Sequence, residues 1–225
     1  MQYPKINTIW KRDETNKYII IEDDYSKEEF KNIKNWNISE KIDGTNIRIE
    51  CFFEYMHGGE IDVVFKGRTD NAEIPKFLLG YLEKAFTKEI ILPIFKEKQP
   101  GKVILYGEGY GPKIQKGGGN YRDDAGFILF AVWIDGWWLD RDKVKEIATM
   151  LDIKVVPEIG IMTIDDAVKY IKGMPKSIIA EKECLMEGVV ARSYPLMLFR
   201  DKSPIMWKLK VEDFMKLKRF GKDVV

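Results

Sequence analysis

A lysine set beside a turn and ahead of an alternating apolar segment is the first pattern with chemical content. "SEKIDGTNIRIE", residues 39 to 50, places Lys41 next to Asp43-Gly44 and before a strand-like run. An ammonium is no nucleophile, but the free amine left when nearby cations or desolvation favour proton loss can attack a carbonyl carbon or a phosphorus. Taken alone, the pattern is also that of a surface lysine at an Asp-Gly turn. Glu108 ends an apolar strand in "ILYGEGYG", amid glycines that allow close approach of a ligand. It equally fits a solvated turn, and the glycine spacing is not that of a dinucleotide fold. Glu187 stands between Met186 and the pair Val189-Val190 in "CLMEGVVARSY". In "PIMWKLKVEDF", Trp207, Leu209 and Val211 alternate with Lys208 and Lys210, so both lysines project from one strand face. That face suits a phosphate, or else it belongs to an edge strand whose lysines deter aggregation.

The elements that must hold these groups follow from periodicity. "YIIIED" (18 to 23) reads as a strand and "SKEEFKNIKNW" (26 to 36) as a helix with Ser26 as N-cap and Glu29 in the capping-box place. "TNIRIECFFEY" (45 to 55) and "IDVVFKGRT" (61 to 69) form a hairpin through "MHGGE". Residues 74 to 95 keep helical spacing until Pro93, and "KVILYGEGYG" (102 to 111) returns to strand. "GFILFAVWIDGWWLD" (126 to 140) is a hairpin turning at Asp135-Gly136. Helices are expected over 140 to 152, over 163 to 173 capped by Thr163 and ended near Gly173, and over 212 to 220, with strands in the two segments that carry Glu187 and Lys208. Hairpins with interspersed helices argue an α+β fold rather than a doubly wound parallel sheet.

At 225 residues, with 45% hydrophobic content and no repeat or linker-like tract, one domain over residues 1 to 225 is expected. A net charge of +1 neither supports nor excludes a polyanionic substrate. Cys51 and Cys184 lie far apart without CxxC spacing, so neither a thiolate zinc site nor a disulfide-rich scaffold is indicated and a reduced, cytoplasmic location is the default. The sequon at Asn37 then carries no meaning. His57, the one histidine, sits in a glycine-rich turn and excludes multi-histidine metal sites. No signal-peptide pattern or bilayer-length apolar run occurs, so no membrane association is expected.

In chain order, KxDG at 41 to 44, the strand-end Glu108, EGVV at 187 to 190 and WKLK at 207 to 210 resemble the covalent nucleotidyltransferase superfamily, whose motifs I, III, IIIa, IV and V match here in sequence order. That superfamily comprises ATP-dependent DNA and RNA ligases and mRNA capping enzymes. "EKIDGTN" is most similar to RNA ligases of the phage T4 second-ligase type, where the lysine motif continues Thr-Asn; DNA ligases and capping enzymes more often carry arginine at the Asn46 position. "YPKINTIWKRD" and "GPKIQKGGGNY" also resemble this branch, and the resemblance covers essentially the whole chain.

The resemblance implies a nucleotidyltransferase (adenylation) domain of twisted antiparallel sheets flanked by helices, without an OB domain, as the chain ends 15 residues beyond Lys210. It implies ATP and Mg²⁺ (or Mn²⁺) as cofactors and RNA, single-stranded or nicked, as partner. Lys41 would attack the α-phosphorus of ATP to give lysyl-AMP, pass the AMP to a 5′-phosphate, and a 3′-hydroxyl would displace it. Lys208 and Lys210 would hold the α-phosphate. Glu108 would bind the ribose or orient metal-bound water, Glu187 would engage the metal through its water shell, and Asn46 would contact the phosphate or metal waters. Arg68 in "KGRT" would contact the ribose or the 5′-phosphate, Phe130 would stack on adenine or else pack in the core, and Glu40 would supply a backbone contact to the base. Ala131 stands where many relatives carry aspartate. "KIQKGGGNYR" (113 to 122) either offers amides, Lys113, Lys116 and Arg122 to nucleic acid phosphates or is a disordered surface loop. A minimal DNA ligase or mixed nick-sealing enzyme is the alternative within the superfamily. A non-catalytic nucleotide or RNA-binding module is the alternative outside it, against which stands the joint presence of Lys41, Glu108, Glu187, Lys208 and Lys210.

Overall fold

The computed structural model describes residues 1–16, 19–55 and 60–219. Its elements begin with β1 (Asn7–Thr8), β2 (Trp10–Arg12), β3 (Ile20–Tyr25), β4 (Trp36–Lys41), β5 (Thr45–Glu54) and β6 (Glu60–Lys66). Next come α1 (Lys76–Ala85), α2 (Lys88–Phe95), β7 (Lys102–Tyr110), β8 (Gly126–Ile134), β9 (Trp137–Trp138) and α3 (Arg141–Met150). The last are β10 (Lys154–Val155), β11 (Glu158–Met162), α4 (Ile164–Lys172), β12 (Gly188–Ser193), β13 (Met206–Lys210) and α5 (Val211–Arg219). They form two compact units, named by their place in the sequence: a central one of Asp43–Val156 with Met1–Tyr3, and a flanking one of Pro4–Ile42 and Pro157–Val225. This is the expected α+β class, largely antiparallel sheets with helices packed on them. No helix among the described residues is long and apolar enough to cross a membrane.

In the central unit the strand order is β10-β8-β7-β5-β6, with β9 added to β8 and only β10 parallel to its neighbour. The alternation of β5 buries Ile47, Ile49, Cys51 and Phe53 against Leu78, Leu82, Ile91, Phe95, Val144 and Ile147 of α1, α2 and α3. A period of two sends Asn46, Arg48 and Glu50 to the opposite face. Arg48 is 1% exposed there and ion-paired to Asp70, with Nε 3.4 Å from Glu50. Burial raises the pKa of Glu50, but the hydrogen bond from Lys102 at 2.8 Å and its other cationic neighbours outweigh this and hold the carboxyl below its usual value. Arg48→Ala removes one partner of a buried charge network, so a stability loss of about 3 kcal/mol is expected, read as a lower urea midpoint at unchanged m-value.

In the flanking unit the order is β1-β13-β12-β4-β11, with β1 parallel to β13, beside a separate β2-β3 hairpin. Trp36 and Ile38 of β4, Val189 and Ala191 of β12, and Trp207 and Leu209 of β13 are buried on one sheet face. Ala167 and Ile171 of α4 and Phe214 of α5 cover them.

Two expected helices are corrected. Residues 26 to 36 hold only a 3₁₀ segment, Glu28–Asn32, with no side-chain cap. Ser26 Oγ donates instead to the Thr8 carbonyl at 2.5 Å, and Trp36, packed edge-on against Phe30, is drawn into β4. The 74 to 95 segment is two helices, because Phe86 leaves the helical region (φ −125°, ψ 59°) and buries its ring edge-on against Phe127 at 5.2 Å. The apolar period runs through the break, so spacing alone does not reveal it, and Pro93 lies inside α2 rather than ending it. The other expected strands and helices are present, with β6 ending at Lys66 and β12 beginning only after Glu187. β5 and β6 pair antiparallel with Glu54 opposite Glu60, Asp135 and Gly136 turn the β8-β9 hairpin at φ 45° and 100°, and Thr163 caps α4. His57 and its turn, residues 56 to 59, lie outside the described residues, as do Tyr18 and Phe220.

Candidate functional site

The flanking unit brings four of the candidate residues to one sheet face. Cross-strand register aligns Lys41 of β4, Gly188 of β12 and Lys210 of β13 in one row, and Ser39, Val190 and Lys208 in the next row of the same face. The expected alternation of β13 is present, with Trp207 and Leu209 buried and Lys208 and Lys210 half-buried on the opposite face. Glu187, just ahead of β12, places Oε2 2.6 Å from Lys41 Nζ and Oε1 2.9 Å from Lys210 Nζ. One carboxylate therefore bridges two ammonium groups separated by a glycine. Burial acts to lower the pKa of Lys210, but Glu187 and then Glu212 outweigh it, so this lysine stays firmly charged. Gly188 is a steric requirement of the row, since a Cβ there would lie 2.2 Å from the Leu209 carbonyl oxygen and 2.7 Å from Lys210 Cα.

Glu40 precedes Lys41 and so points to the other face. Its carboxylate, 1% exposed, accepts from Ser177 Oγ at 2.5 Å and from Ile178 N at 2.9 Å. Burial raises its pKa, and these hydrogen bonds only partly offset that. Its side chain anchors the segment between α4 and β12 to the end of the strand that carries Lys41.

The central unit assembles a second group. Asn46 of β5 lies opposite Glu108 of β7, which lies opposite Ile128 of β8. Gly44 packs against the end of β7, where a Cβ would meet the Gly109 carbonyl oxygen at 2.3 Å and Glu108 Cγ at 2.7 Å, so the turn after Lys41 requires glycine. The turn is braced by Gln115, donating to the Gly44 carbonyl at 3.1 Å, and by Tyr121, whose hydroxyl accepts from Asp43 N at 3.3 Å. The 113 to 122 segment is thus bonded to the turn; Lys113 and Lys116 are exposed, while Arg122 pairs with Asp124 at 2.6 Å. Asn46 Oδ1 is buried without a hydrogen-bond partner among the described residues, an acceptor open to a hydroxyl or a metal-bound water beside the Glu108 carboxylate.

Phe130 is left out of register by a bulge between β7 and β8 and stands half-buried, edge-on to Tyr3 at 4.9 Å. Arg68 is exposed in the turn after β6. A cation on the Asn46 face is Arg48, held by Asp70 of that same turn. Its position follows from the two-residue spacing in "NIR", a signal the motif-centred reading passes over.

Among the described residues no cluster of three Asp, Glu, His or Cys side chains could cage a metal ion. Glu108 and Asn46 in one unit, and Glu187 in the other, are each oxygen donors of the kind a hard cation accepts.

Comparison with known proteins bears on the family and the fold. The RNA ligase family matches residues 34–209. No curated protein matches by sequence. Structures of the Naegleria gruberi RNA ligase share the fold. One variant with ATP and Mn has a TM-score of 0.55 at 13% identity over 99% of this chain and 60% of that one. A second variant with ATP and Mn gives 0.59 at 10% identity over 99% and 59%, and the enzyme with pyrophosphate 0.53 at 14% over 98% and 64%. The chain therefore spans about three-fifths of the length of these ligases. With the family match extending from the segment before β4 to the end of β13, the chain belongs to the RNA ligase family.

Proposed function

We propose that this chain is an ATP-dependent polynucleotide ligase of the phage T4 second-ligase type that seals 5′-phosphate and 3′-hydroxyl RNA ends inside the cell. The observation that carries the reading is the Lys41–Glu187–Lys210 bridge on one sheet face, a nucleophile candidate beside a fixed cation. Lys41 Nζ forms a P–N bond to the α-phosphorus of ATP as the bond to pyrophosphate breaks. Before that Nζ must shed a proton, and the atom it faces is Glu187 Oε2. The 5′-phosphate oxygen of the RNA then takes the AMP, and the 3′-hydroxyl displaces AMP to close the strand. Each step is in-line displacement at phosphorus, where positioning and charge supply most of the rate.

Lys208 and Lys210 hold the α-phosphate. Asn46 and Glu108 receive the ribose or metal-bound water, Phe130 stacks on adenine, and the Glu40 main chain contacts the base. Arg68, exposed, engages the RNA 5′-phosphate. A divalent ion, Mg²⁺ or Mn²⁺, would supply charge neutralisation at the phosphates, and Glu187, Glu108 and Asn46 are the residues that would engage it through water. The Naegleria structures with ATP and Mn support this choice of nucleotide and ion.

Strand joining tests the proposal. The chain is incubated with ATP and Mg²⁺ or Mn²⁺ and with single-stranded RNA, an RNA nick or a DNA nick, each bearing 5′-phosphate and 3′-hydroxyl ends. ATP-dependent joining of RNA is expected. Joining confined to the DNA nick would replace this reading by a minimal DNA ligase, and nucleotide binding without joining of any end would replace it by a binding module.

A further inference from the structure

The sequence breaks a local rule where β13 meets α5. Lys210 stands immediately before Val211, the first residue of α5. At that place Ser, Thr, Asp or Asn is preferred, and the partial positive charge of the helix end disfavours a cation. An ammonium also offers no acceptor to the open first-turn N–H groups.

The structure compensates around this lysine. Asp213, third residue of α5, reaches back so that Oδ2 accepts from Lys210 N at 3.2 Å, the return half of a capping box. The Lys210 ammonium is drawn to Glu187 Oε1 at 2.9 Å and Glu212 Oε1 at 3.4 Å. Val211 N donates to the Glu187 carbonyl at 3.0 Å, which ties the helix start to the bridging glutamate. Asp213 is itself 1% exposed, and its Oδ1 accepts from Arg12 Nη2 of β2 at 2.8 Å, across 201 positions of sequence. A helix cap alone needs neither this burial nor a guanidinium from a separate hairpin.

We propose that Asp213, held by Arg12, is a positioning residue that fixes the main chain of Lys210 so that its ammonium stays beside Lys41 to grip the nucleotide phosphate. The inference rests on the nucleotidyl reading above. Lysine has a flexible four-carbon stem, so its ammonium is only as well placed as its Cα and its partners allow. Without the Asp213 anchor the end of β13 and the start of α5 are free to shift, and a displacement of about 1 Å at a reacting centre can cost a hundredfold.

Calorimetric titration with AMP and with adenosine tests this, because only AMP carries the group that Lys210 holds. Wild type, Asp213→Ala, Asp213→Asn and Thr163→Ala are compared; Thr163 caps α4 in the same unit through Asp166 N at 3.2 Å and touches none of these lysines. AMP affinity is expected to fall about tenfold in Asp213→Ala, the loss of a charge-assisted phosphate contact, and to fall less in Asp213→Asn, which keeps an acceptor oxygen. Thr163→Ala should bind AMP as wild type does, and adenosine affinity should be the same in all four. Arg12→Gln provides the same comparison if Asp213→Ala does not fold. Unchanged AMP affinity in the Asp213 and Arg12 variants, an equal loss in Thr163→Ala, or an equal loss for adenosine would leave Asp213 as a helix cap and overturn the proposal. A folded wild type that binds neither ligand would overturn the nucleotidyl reading and this inference with it.

Discussion

Lys41→Arg is expected to leave the fold intact and to stop adenylate transfer to the protein, a loss of at least about 10⁴-fold of the kind seen when a nucleophile is removed. The substitution separates charge from nucleophilicity. A guanidinium reaches Glu187 as the ammonium does, so this largely buried ion pair keeps both partners and stability should change by no more than about 1 kcal/mol. Arginine keeps its proton at any working pH and so has no lone pair to offer phosphorus. Labelling with α-labelled ATP, read after denaturing electrophoresis, decides the matter: label that survives in the arginine variant would move the nucleophile to another residue.

Gly188→Ala is expected to cost both stability and activity, although it adds one methyl group and changes no charge. The methyl would sit 2.2 Å from the Leu209 carbonyl oxygen and 2.7 Å from Lys210 Cα, against main chain that cannot swing aside. β12 and β13 must part at the row that sets Lys41 and Lys210 on either side of Gly188, at a cost of about 1–3 kcal/mol for overpacking. Because that movement displaces Lys210 and the neighbouring Glu187 together, the rate of AMP transfer should drop by about 10²-fold even where the variant remains folded. A melting curve and a single-turnover labelling time course on the same preparation check the two effects. Wild-type rate in a folded Gly188→Ala protein would show that the row does not set the geometry.

How far such geometry can be read from sequence depends on how local its cause is. Lys208 and Lys210 were legible as one face of a strand because Trp207 and Leu209 are buried on the other, and a period of two follows directly. Asp135-Gly136 was legible because only a few residues tolerate its positive φ angles. The break at Phe86 was not, since its burial against Phe127 depends on a strand about forty residues downstream. The Lys41–Glu187 pair spans 146 positions and became visible only through the order of several individually weak motifs. Arg48 with Asp70 and Arg12 with Asp213 belong to no motif, so nothing in the sequence pairs them. Nor does any Pro/Gly/Ser-rich stretch mark where the chain passes from the flanking to the central unit after Ile42 and back after Val156. Short connections between β4 and β5 and between β10 and β11 carry it across, and the division comes from which strands pair.

The most direct test of the account is to locate the adenylate. Protein shown to be folded, and stripped of bound AMP with pyrophosphate, is incubated with ATP and a divalent ion, digested at alkaline pH to preserve a P–N bond, and mapped by mass spectrometry. One AMP on the peptide containing Lys41, lost on acid treatment, is the predicted result. An adduct on any other residue, or no adduct at all, would contradict it.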